Sequence, residues 1–317
     1  MRDESRLTSR NRRFARTLRV SALALCLAGV GAPGARFVRA GVEVAPGAQE
    51  REPDLATVLR RAGDYVHDYH DRLSAIVAEE RYVQRTEGNP SSVPRLADSG
   101  AAGRERVLKS DFMLLRDYAG DNSWIGVREV FEIDGEPAEA ERGRLRALLM
   151  DTRAPVSVRL RALADQQAKY NLGPLYRTIN VPTTAFQFLR PDRQSRVRYR
   201  RSGSAVLNGR HVWKVSFQER DRPTIIRTPA GRDVRSTGMF WIDPTDGAVL
   251  RTELRAGDEP RRGFRSIILV SYQHNERFDM LVPDDMNELY TAGATRIEGH
   301  ATYSNFRRFE TETRIKD

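Results

Sequence analysis

From residue 196 onward, short alternating runs are separated by tight-turn dipeptides, and this feature limits the fold more than any other. Asn208-Gly209 is the strongest of these turn signals, and Asp246-Gly247 marks another. No helical period interrupts the runs, so neighbouring runs are predicted to pair as antiparallel strands of one large sheet. The runs cover residues 196–207, 210–219, 264–273 and 278–290, the two arms of a hairpin at 239–255, and the alternating residues at the end of the sequence.

The N-terminal part of the chain has a different pattern, in which one long helix precedes strands and a helical region. Pro53 suits the first turn of a helix, and an apolar stripe with spacings of three and four predicts that the helix ends near Glu79-Glu80. That stripe consists of Leu55, Leu59, Ala62, Val66, Tyr69, Leu73 and Ile76. Strands are predicted at 81–87, 104–116 and 123–134, and helices at 139–150, 156–172 and 182–189.

These elements predict an α+β fold, namely a large curved antiparallel sheet (an unclosed β-barrel) with helices on its concave face. Residues 53–317 are predicted to form a single half-barrel domain, with a helical insertion at about 139–189. Residues 41–52 are predicted to be a linker. The run 264–273 is apolar on both faces, so we expect a central strand that is covered on both sides.

Residues 1–40 have the order of a secretory signal peptide. A basic stretch precedes an apolar run from Val20 to Ala35, and Val38-Arg39-Ala40 offers small residues for cleavage. The apolar run is shorter than the roughly 20 residues that a spanning helix needs, and Gly and Pro interrupt it. We therefore expect cleavage near Ala40, no stable transmembrane segment afterwards, and a location in the periplasm or outside the cell.

The charge and cysteine content of the remaining chain narrow its partners. The net charge is +10, but residues 1–40 hold nine arginines and two acids, which leaves +3 for residues 41–317. With arginines spread among acids and no basic arm, nucleic-acid binding is not predicted. Cys26 is the single cysteine and lies in the predicted leader, so the exported chain has neither disulfides nor a thiolate metal site.

Large apolar side chains on the predicted strands are the candidate binding residues. They would form a core, or some of them would line a concave apolar cavity. The candidates are Trp213, Phe217, Trp241, Leu250, Leu254, Phe264, Ile268 and Phe306.

Metal-binding and catalytic signals are weak in comparison. His67 and His70 lie with three acids in one helical stretch, but ion pairs at a spacing of four explain the acids, and all the donors would come from one helix. The sequence has no phosphate-binding loop, dinucleotide-binding loop or nucleophile elbow. We therefore predict no catalytic residue and no cofactor, and His67 and His70 remain weak metal candidates.

Three segments carry a resemblance to known proteins: YNLGPLYRTINVPTTAFQFLRP, RPTIIRTPAGRDVRSTGMFWIDPTDGAVLRTEL and HATYSNFRRFE. They resemble a group of exported bacterial proteins over roughly residues 53–315. More distantly, the order of elements is similar to that of the periplasmic outer-membrane lipoprotein carriers and sorting proteins of the LolA/LolB type. That resemblance implies an unclosed antiparallel barrel whose concave face, covered by helices, accepts acyl chains.

Three function hypotheses follow from these observations. The first is a non-enzymatic exported protein that binds a lipid or a lipidated protein in the concave cavity. The second is a structural or interaction module of the cell envelope, with a filled core and protein partners at exposed strand edges. The third is a hydrolase or metal enzyme whose site is assembled only in space.

Overall fold

The computed structural model describes residues 52–87, 104–116, 124–138, 177–228, 230–257 and 264–309, together with 155, 158–159, 162–163, 168–173 and 175. The predicted leader, the predicted helix at 139–150 and the last eight residues lie outside this part of the chain. Across the described residues, no helix combines the length and apolar character that crossing a bilayer requires.

Helix α1 spans Leu55–Leu73 and begins at a well-formed cap. The carboxylate of Asp54 accepts a hydrogen bond from the backbone N–H of Thr57 at 2.7 Å. The predicted end near Glu79-Glu80 is wrong, because β1 begins at Ile76. Ile76 continues the apolar pattern of the helix and also that of the following strand. It belongs to the strand because residues 76–87 pair with two neighbouring strands.

The sheet has eleven strands in the order β4-β3-β2-β1-β11-β10-β9-β8-β7-β6-β5, and neighbouring strands are antiparallel. Its two outermost strands, β4 and β5, are not paired with each other, so the sheet is open, and α1 lies on its concave face. The predicted fold class is confirmed. The strands are β1 Ile76–Glu87, β2 Arg104–Arg116, β3 Trp124–Ile133, β4 Glu136–Pro137, β5 Val197–Leu207, β6 Arg210–Glu219, β7 Ser236–Ile242, β8 Val249–Gly257, β9 Phe264–Asn275, β10 Met280–Ala292 and β11 Thr295–Arg308.

Both predicted hairpin turns are present. Asn208 and Gly209 have φ values of 49° and 75°, as a two-residue hairpin loop requires. In the turn between β7 and β8, the N–H of Gly247 donates to the carbonyl of Asp243 at 2.9 Å. The guanidinium of Arg61 in α1 donates to the carbonyl of Pro244 at 2.6 Å, so this turn also contacts the helix.

The helical region before β5 is only partly described. The backbone is helical at 158–159, 162–163 and 168, within the predicted helix 156–172, and Gly173 follows with a φ of 83°. The predicted helix at 182–189 is a short 3₁₀ helix, Thr184–Phe188, and a second one covers Gln194–Arg196.

The core lies between α1, the 3₁₀ helix Thr184–Phe188 and the inner face of the sheet, which is the face that α1 covers. Phe217 stacks between Phe188 and Phe240, with ring centroids 4.9 and 4.7 Å away. Strand β9 is central as predicted, but only its inner face is buried; Ile267 and Leu269 on the outer face are half-exposed. The expectation that both faces are covered was therefore wrong, because α1 packs on one side of the sheet only.

Candidate functional site

A cleft of about 300 Å³ opens at one edge of the sheet, between the start of β3 and the segment 177–187. Strand β4 pairs only with Glu132 and Ile133, so the beginning of β3 has no strand beyond it among the described residues. The apolar walls of the cleft are Trp124, Ile125, Ile179, Val181, Ile225 and Ile226. Its cationic side chains are Arg177, Arg193 and Arg227.

Trp124 lines this cleft, and two side chains contact its indole ring. The imidazole of His70 stacks on it, with centroids 5.6 Å apart and an interplanar angle of 6°. The guanidinium carbon of Arg116 lies 5.5 Å from the centroid of the ring. Helix α1 thus positions one lining residue of the cleft through His70, which projects from its buried side.

The segment that forms the opposite wall is held by hydrogen bonds from side chains to its backbone. The phenol of Tyr272 in β9 donates to the carbonyl of Pro182 at 2.6 Å. The guanidinium of Arg128 in β3 donates to the carbonyl of Asn180 at 2.6 Å. Both donors come from the sheet, so the segment is fixed to strands on either side of the half-barrel.

Behind the cleft, a buried ion pair joins β1 and β3. Arg128 donates to both carboxylate oxygens of Glu80, from Nη2 to Oε1 at 2.9 Å and also from Nε to Oε2. The exposed fractions of the two side chains are 6% and 0%. Burial alone would lower the pKa of Arg128, but the charge of Glu80 outweighs it and raises that pKa. Ser110 adds a hydrogen bond to Glu80 at 3.2 Å.

A second buried charged set lies on β1 and β10. Glu288 Oε2 accepts a hydrogen bond from the phenol of Tyr82 at 2.8 Å and lies 4.0 Å from Arg177 Nη1. Both charged side chains have no exposed surface. Burial raises the pKa of Glu288, while Arg177 and Tyr82 oppose that shift. Glu288 Oε1 and the hydroxyl of Tyr290 are buried without a hydrogen-bond partner among the described residues.

Gln84 connects this second set to the partly described helical region. Its amide nitrogen donates to the carbonyl of Tyr170 at 3.0 Å, and its amide oxygen accepts from the N–H of Leu172 at 2.9 Å. The same oxygen accepts from Arg177 Nη2. Arg177 therefore adjoins the cleft and also belongs to the buried network.

This arrangement has the chemistry of an amphipathic binding site. The apolar walls can accept a hydrocarbon chain, and the guanidinium groups of Arg193 and Arg227, each near one aspartate, can also bind an anionic group. The clustered hydroxyl and amide groups of Thr178, Thr183 and Gln187 line the same cleft and can act as hydrogen-bond partners.

The structure does not bring the eight predicted binding residues to this cleft. Five are buried core residues under α1 and the 3₁₀ helix, and three are half-buried. The buried ones are Trp213, Phe217, Leu250, Leu254 and Ile268. The half-buried ones are Trp241, Phe264 and Phe306. Their role in binding stays a prediction.

The two predicted metal candidates lie in different environments. The side chain of His67 is 62% exposed, next to Asp71 at 3.9 Å. His70 is 1% exposed, and its Nδ1 lies 2.8 Å from the carbonyl oxygen of Val66. Among the described residues, no group of three or more His, Cys, Asp and Glu side chains is placed to hold a metal ion.

Burial of His70 predicts a pH-dependent stability. Burial lowers the pKa of His70 to about 4, so between pH 6.5 and 4 the unfolded chain binds a proton that the folded chain does not. The stability contributed by neutral His70 is present above pH 6.5 and is lost as the pH falls through 4, by about 3 kcal/mol. Replacing His70 by Phe should remove this part of the pH dependence in urea unfolding experiments.

The exposed neighbour supplies the control for this experiment. His67→Gln is the matched control, because it also removes an imidazole from α1, but one whose side chain lies in solvent. An unchanged slope in His70→Phe would show that other groups account for the acid sensitivity.

Sequence reasoning missed the buried charged residues of the site, although a signal for two of them exists. Glu80 alternates with Ala78 and Tyr82, and Glu288 with Met286 and Tyr290. A carboxylate in phase with apolar neighbours of a strand points to their face and needs a buried partner. Arg177 has no comparable signal, because it lies outside the helices and strands.

Comparison with known proteins gives similarity only at the level of structure. No protein-family model matches this sequence, and no curated protein matches it. Three solved structures illustrate the similarity. An outer membrane lipoprotein-sorting protein domain, so described, from Vibrio parahaemolyticus has 10% identity and a TM-score of 0.38, with 82% of this chain and 94% of that chain covered.

The other two structures are comparable in extent. A DUF1329 family protein from Desulfovibrio piger has 10% identity and a TM-score of 0.34, with 82% and 95% of the two chains covered. A LolA superfamily protein from Nitrosomonas europaea has 7% identity and a TM-score of 0.30, with 80% and 96% covered. Lipoprotein-sorting and LolA superfamily proteins are thus among the similar structures, as predicted; at these identities and TM-scores the similarity indicates neither a family nor what the chain binds.

Proposed function

We propose that this protein is an exported, non-enzymatic binding protein that holds an acyl-bearing anionic ligand, a lipid or a lipidated protein, in the cleft beside Trp124. The observation that carries the proposal is the composition of the cleft: apolar walls on two sides, with the side chains of Arg193 and Arg227 at its margins. The predicted leader at 1–40 supports export. The cleft volume of about 300 Å³ is at the lower end of the usual range for ligand sites.

The proposal differs from the prediction made from sequence in the location of the ligand. The cavity was expected under the apolar strand faces around Trp213, but Phe186, Phe188 and α1 pack against those faces. The cleft lies instead at the β3 edge, where side chains of the segment 177–187 form the second wall. A ligand chain there would lie along Ile179 and Val181.

Fluorescence quenching tests the proposal, because the three tryptophans lie in three environments. Trp124 lines the cleft, Trp213 is buried in the core, and Trp241 is on the outer face of β7. A brominated fatty acid should quench the protein's fluorescence, and Trp124→Phe should remove most of that quenching. Trp241→Phe should retain it. Loss of quenching in Trp241→Phe instead would contradict binding in the cleft.

A variant of the apolar wall gives an independent measurement. Ile226→Glu places a carboxylate against the ligand chain and is expected to weaken fatty-acid binding about tenfold or more. Val206→Glu makes the same substitution type at an aliphatic residue that is 68% exposed, and should bind as the wild type does. Equal affinity of the two variants would exclude the cleft as the acyl site.

The second candidate function is a structural or interaction module, and the filled core under α1 is the observation that favours it. Phe186, Phe188, Phe217 and Phe240 leave the centre of the half-barrel occupied by side chains. Strand β5 also forms one edge of the sheet, where a partner strand can add. Native mass spectrometry after purification separates the two: a co-purifying acyl species favours the binding protein, and a bound protein subunit favours the module.

A further inference from the structure

The outer face of β5–β8, opposite to the face that α1 covers, carries a concentration of arginines. Adjacent rungs of the sheet bring together residues that are distant in sequence. One rung contains Arg198, Gln218, Thr237 and Arg255 in register, and another rung begins with Arg200. We call this surface the arginine face and define it by Arg198, Arg200, Arg220, Arg235 and Arg255.

Two clefts lie on the arginine face and meet at Arg198 and Gln218. The larger, of about 690 Å³, is bordered by Arg198, Arg200 and Arg255. The smaller, of about 280 Å³, is bordered by Arg198, Arg220 and Arg235, with Glu219 and Asp221 as acidic neighbours. Neither cleft shares a lining residue with the cleft beside Trp124.

Most of these cations lack an acidic partner. Arg198, Arg200 and Arg235 are exposed and form no ion pair among the described residues. Arg255 pairs with Glu253 at 2.5 Å, and Arg220 donates to the carbonyl of Ser195 at 3.0 Å. The surface therefore has a strong local excess of positive charge, although the chain after residue 40 has a net charge of only +3.

Half-exposed apolar side chains adjoin the cations on the same face. Met239 is in register with Ser216 and Glu253, and Trp241 is in register with Lys214 and Arg251. The guanidinium carbon of Arg251 lies 5.7 Å from the centroid of the Trp241 ring. Ile267 and Leu269 of β9 continue the apolar surface next to β8.

We propose that the arginine face docks on a phospholipid membrane surface that carries anionic headgroups. Guanidinium groups bind phosphate oxygens in a bidentate manner, and four strands spread them over a width of about 14 Å, which suits several headgroups at once. Trp241 and Met239 then contact the boundary between headgroups and acyl chains, the position that tryptophan favours in membranes. This combination of an arginine array with adjoining apolar side chains favours a membrane over an acidic peptide, for which the charges alone would suffice.

Vesicle binding tests this proposal with the purified full chain. Vesicles of phosphatidylglycerol and phosphatidylcholine should bind the protein, and vesicles of phosphatidylcholine alone should not. The triple variant Arg198→Gln, Arg200→Gln and Arg235→Gln should bind about 100-fold more weakly, since each arginine near an anionic surface contributes about 1 kcal/mol. Brominated lipids in the vesicles should quench the fluorescence of the wild-type protein. This quenching should be lost in Trp241→Phe and kept in Trp124→Phe.

A triple variant elsewhere on the sheet provides the matched control. Arg81→Gln, Arg104→Gln and Arg308→Gln remove the same charge at exposed positions on β1, β2 and β11. This control should keep its affinity for vesicles. Equal loss of affinity in both triple variants would overturn the proposal, as would full competition by inorganic phosphate at equal phosphate concentration. Binding to polyglutamate without binding to vesicles would also overturn it.

Discussion

Replacement of Arg128 by Met is expected to lower the free energy of unfolding by about 3–5 kcal/mol. The change leaves the carboxylate of Glu80, which has no exposed surface, without a cation inside the half-barrel. Of the hydrogen-bond donors that contact Glu80 in the structure, Ser110 would remain, at 3.2 Å. Asn180 would also lose the guanidinium that holds its carbonyl, so the wall of the cleft should loosen.

The double variant Glu80→Leu with Arg128→Met should recover most of this loss. Removing both charges removes the cost of a buried, unpaired carboxylate, and side chains of similar volume fill the space. Urea unfolding followed by circular dichroism measures the single and double variants under the same conditions. If the double variant is as unstable as the sum of its single variants, the two charges do not interact in the way that the distances indicate.

An exposed pair of the same composition provides the comparison. Arg85 lies 2.5 Å from Glu105, but the two side chains are 63% and 49% exposed. Arg85→Met should leave the urea midpoint nearly unchanged, because solvent screens the pair. The contrast between Arg85 and Arg128 measures the effect of burial rather than of ion pairing as such.

The second large effect is expected for Gly247→Ala, with a loss of about 3 kcal/mol in the free energy of unfolding. Gly247 has a φ of 79°, which costs energy for any residue with a Cβ atom. An added Cβ would also lie 2.3 Å from the backbone carbonyl carbon of Arg61 and 2.6 Å from the N atom of Ala62. The substitution must therefore displace α1 from the β7–β8 turn.

Gly209 separates these two causes. Its φ of 75° is nearly the same, but an added Cβ there meets no atom within 4 Å. Gly209→Ala should cost about 1 kcal/mol, from the backbone conformation alone. Urea unfolding of both variants gives the contribution of the helix contact as their difference, and equal losses would show that α1 can shift without cost.

The sheet was predictable from the sequence because its determinants are local. Asn208-Gly209 determines one hairpin, and alternation in the flanking strands determines which side chains face inward. The predicted end of α1 failed because Ile76 satisfies two periods, and only the pairing of its strand with β2 and β11 distinguishes them. Local patterns therefore determined the strands better than the boundary between helix and strand.

The candidate site was not predictable in the same way, because it depends on contacts between distant parts of the chain. Tyr82 and Glu288 share a hydrogen bond across 206 residues, and Arg128 reaches Asn180 across 52. The predicted binding residues were chosen by apolar character, which also selects core residues such as Trp213. Glu80 lies in phase with Ala78 and Tyr82, but the sequence does not identify its partner, because Arg128 reaches Glu80 only in the folded sheet.

The pairing of β1 with β11 in the interior of the sheet has a consequence for how the protein can be made. Strands β5–β10 form a chain of consecutive neighbours, and β1–β4 form another, but only β11 joins the two. Pairing β1 with β11 brings residues near 80 next to residues near 303. This contact closes the longest loop in the sheet, so we expect it to form most slowly. The sheet therefore cannot be completed before β11 is available: β1–β4 and β5–β10 can pair among themselves, but the two halves stay separate until β11 joins them.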